Sequence, residues 1–192
     1  MQLYSDAEKL NVIENVRMAA ERIIASPEFL PYIPRVGTKV VMALSHASSP
    51  AQVVAVQGLI SRSTKVIGAV RFGVSSHMAR VVLAVMKFDP ALRAALNLRY
   101  VPELVDAFRG VGYRASRFSL VPEKVKVIEY VALVRGVEQV VRRIGRVPDA
   151  IFDVDEFGRA PMMRVLGVSA TEAVKKALVA IRDLEFNKQI HL

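Results

Sequence analysis

Apolar positions along the first third of the chain follow two different periods. From Ser5 onward Leu10, Ile13, Val16 and Ala20 recur every three or four residues, the spacing that lays a stripe along one side of a helix. Ser5 and Glu8 are spaced as a capping box at its start, and Ser26-Pro27 stops it. A helix over about 6–25, docked on its stripe, is expected. The period then shortens: KVVMAL (39–44), VVAVQGLI (53–60) and KVIGAV (65–70) are short, rich in Val and Ile, and punctuated by Pro and Gly, so they read as strands.

Helical spacing returns at Ser76, where Met78, Val81, Val82, Val85 and Met86 make a broad apolar face that ends at about Phe88, before Asp89-Pro90. Pro90 and Pro102 each suit the first position of a further helix, and NLRY (97–100) between them is short enough for a strand or a turn. Another helix is expected from Pro122, interrupted at Gly136 and closed at Gly145. DAIFDV (149–154) reads as a buried strand running out into the acidic loop DEFGRAP. Ser169, with Glu172 three residues on, caps a last helix that Val174, Ala177, Leu178 and Ile181 hold to the core. Strands interleaved with helices predict an α/β layered domain, and 192 residues with 53% hydrophobic content can bury one full core across 1–192.

Composition narrows the chemistry. With no cysteine there is no disulfide framework, thiolate metal site or cysteine nucleophile. No apolar run reaches the roughly 18 residues of a membrane span, and MQLYSDAEKL lacks the plan of a signal peptide, so no membrane partner is expected and the cytoplasm is the simplest location. The net charge of +9 would attract any polyanion. Yet Lys and Arg are spread from Lys9 to Lys188, and the densest cluster, Arg142, Arg143 and Arg146, sits at a helix end where cations complement the dipole. This reads as a solvated face. Without a recognition helix or aromatic stacking platform, no specific nucleic acid is expected for the chain by itself, and any duplex binding should be weak and salt-sensitive. Association into a homo-oligomer stays open.

The candidate chemistry lies in RFGVSSHMARVVLAVMKFDPALRAALNLRY (71–100). Gly73 lets the backbone turn tightly, Ser75 or Ser76 can cap the helix, and His77 and Arg80 reach the same space from its first turn. Helix N-termini favour anions, so a phosphate-bearing ligand is expected there. The competing reading makes His77 a partly buried polar residue and Arg80 a surface charge.

FGVSSHMARVVLAVMKFDP, NLRY and DVDEFGRAPMMRVLG, in that order, resemble the archaeal ThiN-type thiamine-phosphate synthase domain, over about Ala7 to Ile181. The resemblance implies a three-layer α/β/α domain with a mixed sheet, found joined either to a pyrimidine kinase or to a DNA-binding helix-turn-helix. It also implies the reaction, in which a pyrimidine pyrophosphate and a thiazole phosphate condense to thiamine phosphate and pyrophosphate leaves. His77 would then assist the chemistry, by placing positive charge on the departing pyrophosphate or a proton on it. Asn97, Arg99 and Tyr100 match an Asn-x-Arg-Tyr segment, in which the arginine can fork onto a second phosphate or stack on an aromatic ring. Asp153, Gly158 and Arg164 match the late segment. Asp153 would hold Mg2+ or a pyrimidine amino group, or else cap the following loop. Beyond Mg2+ in an active enzyme, no cofactor or metal is implied. Phe72 and Met162 read as packing.

The departures from that pattern all fall where the family carries polar or charged groups. Leu59 stands where an arginine follows the glycine at Gly58, and the family's Gly-x-Asn becomes Gly37-Thr38-Lys39. FSLVPE puts Ser119 and Leu120 in place of a charged pair, and Gly158-Arg159-Ala160-Pro161 loses a carboxylate. Losing one transition-state contact costs about 10² to 10³ in rate, so several together leave a scaffold better suited to binding than to turnover. A sensor or regulatory relative with weakened synthase activity is expected, and an active synthase with relocated contacts is the alternative. About 35 residues precede Gly37, too few for a helix-turn-helix reader, so action on DNA would need a partner subunit.

Overall fold

A computed structural model describes residues 4–119, 129–154 and 160–190, with side chains from 131 onward in the second stretch. Seven strands form one sheet: β1 (Val40–Ala43), β2 (Val53–Val56), β3 (Val70–Phe72), β4 (Ala94–Arg99), β5 (Ala115–Arg117), β6 (Ala150–Phe152) and β7 (Met162–Gly167). Their order is β3-β2-β1-β4-β7-β6-β5, antiparallel throughout except for the parallel β5–β6 pair. The helices are α1 (Asp6–Ile24), α2 (His77–Met86), α3 (Pro102–Gly110), α4 (Glu129–Ile144) and α5 (Ala170–Ile190).

Strand alternation divides the core into two layers. Val40, Met42, Val54, Leu96, Leu98, Met163 and Val165 pack against α1, α3 and α5, while Val41, Ala43, Val53, Ala55, Ala95, Ile151 and Leu166 pack against α2 and α4. The fold is therefore a three-layer α/β/α arrangement with a mixed sheet. Because both faces are covered, β1 and β2 are buried at every position and read as continuous apolar runs.

Several elements differ from expectation for local reasons. The buried stripe of α1 is Val12, Val16, Ala19, Ala20 and Ile23, and Leu10 is exposed. Ser5 does accept from Glu8 N, but the Glu8 carboxylate turns away to accept from Ser45 N and Ser45 Oγ, at 2.8 and 2.6 Å. Those bonds hold its pKa below the usual carboxylate range. Residues 65–69 are not a strand: β3 begins at Val70, and Gly68 lies so close to Gln57 that a Cβ there would sit 2.4 Å from the Gln57 carbonyl oxygen. Pro90 belongs to a turn closed by Leu92 N donating to Asp89 O, and no helix follows it, whereas Pro102 does open α3.

NLRY lies on β4 and its exit. β5 and β7 carry no pattern that announced them. The expected helix start at Pro122 lies outside the described residues. At the last helix, Ser169 Oγ accepts from Glu172 N as expected.

Gly136 does not interrupt α4. A Cβ at that position would lie 2.3 Å from the ring of Phe118, a fully buried side chain, so the glycine lets helix and sheet approach. Helix propensity alone makes Gly136→Ala stabilising by about 1 kcal/mol, but overpacking against a fixed ring makes it destabilising by about 1–3 kcal/mol. Urea denaturation of the variant should show the loss, and a gain in midpoint would mean that Phe118 yields.

Candidate functional site

All seven strands contribute an end to one rim of the sheet. β1, β3 and β7 begin there, β2, β4, β5 and β6 end there, and the pairings Val56↔Val70, Val40↔Leu96, Arg99↔Met162, Phe152↔Met163 and Arg117↔Phe152 bring those ends level. On the α2/α4 face of this rim the alternation places Lys39, Asn97, Arg164 and Asp153. Apolar residues occupy the same face further into the sheet.

Asn97 is buried and lies directly opposite Arg164 on β7. Its Oδ1 accepts from Lys39 N at 2.7 Å, its Nδ2 donates to Gly37 O at 3.1 Å, and Thr38 Oγ1 donates to Asn97 O at 3.1 Å. The amide thus closes the start of β1 onto the end of β4. Gly37 has φ +91, and a Cβ there would lie 2.8 Å from Leu59 Cβ, so this crossing needs glycine. Lys39 then turns its ammonium back to Val56 O and Gly58 O at the exit of β2, the first at 2.8 Å. Burial holds that ammonium below the usual lysine range. Sequence reasoning missed this role for Lys39, since a lysine after Gly-x signals a lost amide and not a clip between strands.

Arg164 and Asp153 form the second polar group. Arg164 Nη1 donates to Asp153 Oδ2 at 2.7 Å, and Asp153 Oδ1 accepts from Met162 N at 2.7 Å. The Arg164 side chain is 5% exposed and its Nε is buried without a hydrogen-bond partner. Each Asp153 oxygen thus accepts a hydrogen bond, one of them from a cation. Among the described residues no group of three or more His, Asp or Glu could hold a metal ion. Arg99 is exposed at the end of β4, and it is Tyr100 that stacks, on Phe152, with ring centroids 5.4 Å apart.

The first turn of α2 stands apart from this group along the sheet. Gly73, at φ +73, donates to Val53 O, and Val53 pairs with Ala43, so the turn leaves the sheet at the far end of β1 from Lys39. Four residues of strand, about 13 Å, separate the two levels. Ser75 is buried, His77 and Arg80 are half-buried, and Ser76 occupies the N-cap position without a side-chain capping bond. The expected serine cap is absent because Ser76 has helical backbone angles, φ −93 and ψ −53, where the capping geometry needs an extended residue.

The family model for thiamine-phosphate synthase ThiN matches residues 15–179. The chain belongs to this family. It is 34% identical over 175 residues to the thiamine-phosphate synthase ThiN of Methanothermobacter thermautotrophicus, covering 88% of this chain and 92% of that one. It is 32% identical over 153 residues to the bifunctional thiamine biosynthesis protein ThiDN of Methanocaldococcus jannaschii, covering 77% of this chain but 35% of that longer protein. Among solved structures, the C-terminal domain of a phosphomethylpyrimidine kinase is 30% identical with a TM-score of 0.81, covering 90% of this chain and 100% of that domain.

Set on the fold, the segments that resemble ThiN collect at the strand-end rim, apart from the α2 turn. Among the departures, Leu59, Lys39 and Ala160 lie there too. Leu59 is 54% exposed beside Gly37, Lys39 is spent on two carbonyls, and Ala160 is exposed just before β7. Leu120, Gly158 and Arg159 lie outside the described residues.

The Asp153–Arg164 pair makes a sharp energetic claim. Removing one member strands a buried charge, so Asp153→Ala should cost about 3–5 kcal/mol, whereas Asp153→Ala with Arg164→Met should recover at least half of it. A double-mutant cycle by urea denaturation checks this, and additive losses would deny the pairing.

Proposed function

We propose that this ThiN-family chain binds thiamine phosphate or one of its phosphorylated precursors at the strand-end rim, with synthase turnover far below that of a member carrying the full motif set. The observation that carries the reading is the unequal state of the rim. Arg164 holds a buried Nε donor with no acceptor, while Leu59 exposes hydrocarbon where the resemblance calls for a cation.

An orphaned buried donor costs about 1–3 kcal/mol, a cost that an arriving phosphate oxygen would remove. Arg99, exposed at the end of β4, adds a second fork-shaped donor at the same rim. Such contacts serve binding. Expelling pyrophosphate makes a further demand, because charge that builds on the leaving group must be met by donors already in place. Leu59 offers none, and the Lys39 ammonium is turned onto Val56 O and Gly58 O.

Retained synthase activity is the second reading, and the first turn of α2 favours it. Gly73, Ser75, Ser76, His77 and Arg80 gather at a helix N-terminus, the natural place for a departing pyrophosphate, with His77 as proton donor. Binding of duplex DNA ranks below both.

Two measurements on one purified sample test the proposal. With both substrates and magnesium, turnover should be at least about a hundredfold below that of a ThiN protein with the full motif set, while thiamine phosphate should raise the melting temperature by linkage. Turnover equal to that protein's would establish the second reading, and a melting temperature indifferent to thiamine phosphate would remove the first.

A further inference from the structure

The sheet ends at β5, and the edge of that strand differs from an ordinary open edge. In the parallel pairing with β6, Ala150 N donates to Arg114 O and Phe118 N donates to Phe152 O, so the intervening Ala115 and Arg117 turn their backbone groups outward. Both outward carbonyls are already engaged. Arg109 on α3 donates through Nη2 to Ala115 O at 3.1 Å, and Arg143 on α4 donates through Nη2 to Arg117 O at 2.6 Å and to the buried Ser116 Oγ at 2.6 Å. A further strand would find no acceptor here, which is one way proteins keep an edge from pairing.

What remains along this edge is donors. A pocket of about 350 Å³ opens between α3 and α4, lined by Arg109, Tyr113, Arg114, Ala115, Ser116 and Ile144. The Ala115 N–H turns outward beside it. Arg114 donates its backbone N–H to Asp149, and its exposed guanidinium makes no hydrogen bond or ion pair with another described residue. Arg109 spends one nitrogen on Ala115 O and another on Asp106, whose carboxylate is largely in solvent at 3.6 Å, leaving the rest of its fork available. The other nearby carboxylate, Asp149, is held from the far side by Lys176 at 2.7 Å.

We propose that this edge pocket is a second anion site, taking a small molecule that carries a phosphate or pyrophosphate group. An oxyanion offers only acceptors, the complement of two guanidinium groups and an outward amide, and Ile144 supplies an apolar wall that lowers the local dielectric. Arg143 and Arg146 then have a use beyond solvation, since they add positive potential beside the opening, whereas Arg142 is neutralised by Glu138 along its own helix. The pocket involves α3, α4 and the start of β5, not the rim residues Asn97, Asp153 and Arg164, so it stands whether or not the rim reading does.

The test uses the full chain, inorganic pyrophosphate and amide NMR at near-physiological salt. Pyrophosphate should shift the amides of residues 114–117, and Arg114→Gln should weaken that response about tenfold. Arg142→Gln removes the same charge from a side chain paired with Glu138 along its own helix, and should change the response less than twofold. Equal weakening by both variants would mean diffuse attraction, and pyrophosphate that shifts other amides but not these would place it elsewhere. A 20-base-pair duplex that perturbs 114–117 more strongly than pyrophosphate would make this a nucleic-acid surface. Each of the last three results overturns the proposal.

Discussion

The contact between Asn97 and the start of β1 governs the architecture of the rim. β4 is the middle strand of seven, and the buried Asn97 side-chain amide satisfies Lys39 N and Gly37 O together while the Asn97 backbone carbonyl accepts from Thr38 Oγ1. That cross-link fixes where β1 enters the sheet, and the side chain of Lys39 then fixes where β2 leaves it. Arg164 lies directly opposite Asn97 on β7 and carries the order one strand further, to Asp153 beyond β6. A polar chain through four strands, flanked by two apolar layers, admits few other arrangements, because every member left unpaired would cost the full price of its desolvation.

Under the proposed reading, the same constraint separates binding from catalysis in this ThiN-family chain. Polar groups that hold the rim together are already engaged, so a ligand must rely on those with capacity to spare, the Arg164 Nε and the exposed Arg99. In place of further cations the rim presents Leu59. Such a surface can recognise a stable phosphate ester, yet it offers little to a leaving group whose charge grows as a bond breaks.

Sequence periodicity made legible the elements with one buried stripe or one buried run. α1, α2 and α5 follow helical spacing, and β1, β2 and β6 are apolar at nearly every position. β7 was hidden because Arg164 interrupts its apolar pattern, and an arginine in a central strand makes sense only once Asp153 is known to face it. β5, only Ala115 to Arg117, is too short and too polar to register. The stripe expected for α1 holds at Val16 and Ala20, with Ile13 packed against the core, and fails at Leu10, which is exposed while Val12, Ala19 and Ile23 are buried. Among site residues, the types at 97, 153 and 164 pointed to polar chemistry, but their mutual pairing depends on strand register, which no local spacing encodes. The α2 mouth was readable as a unit, and its distance from the rim was not, since it follows from where Gly73 bonds to β2.

In the proposed reading, the buried Arg164 Nε at the rim takes its acceptor from a phosphorylated ligand. The most direct measurement is the Nε–H resonance of Arg164 by NMR, assigned through Arg164→Lys and followed as thiamine phosphate is added to saturation. Formation of a charge-assisted hydrogen bond should move it downfield and slow its exchange with water. A resonance that stays in place while the protein is saturated with thiamine phosphate would contradict the account.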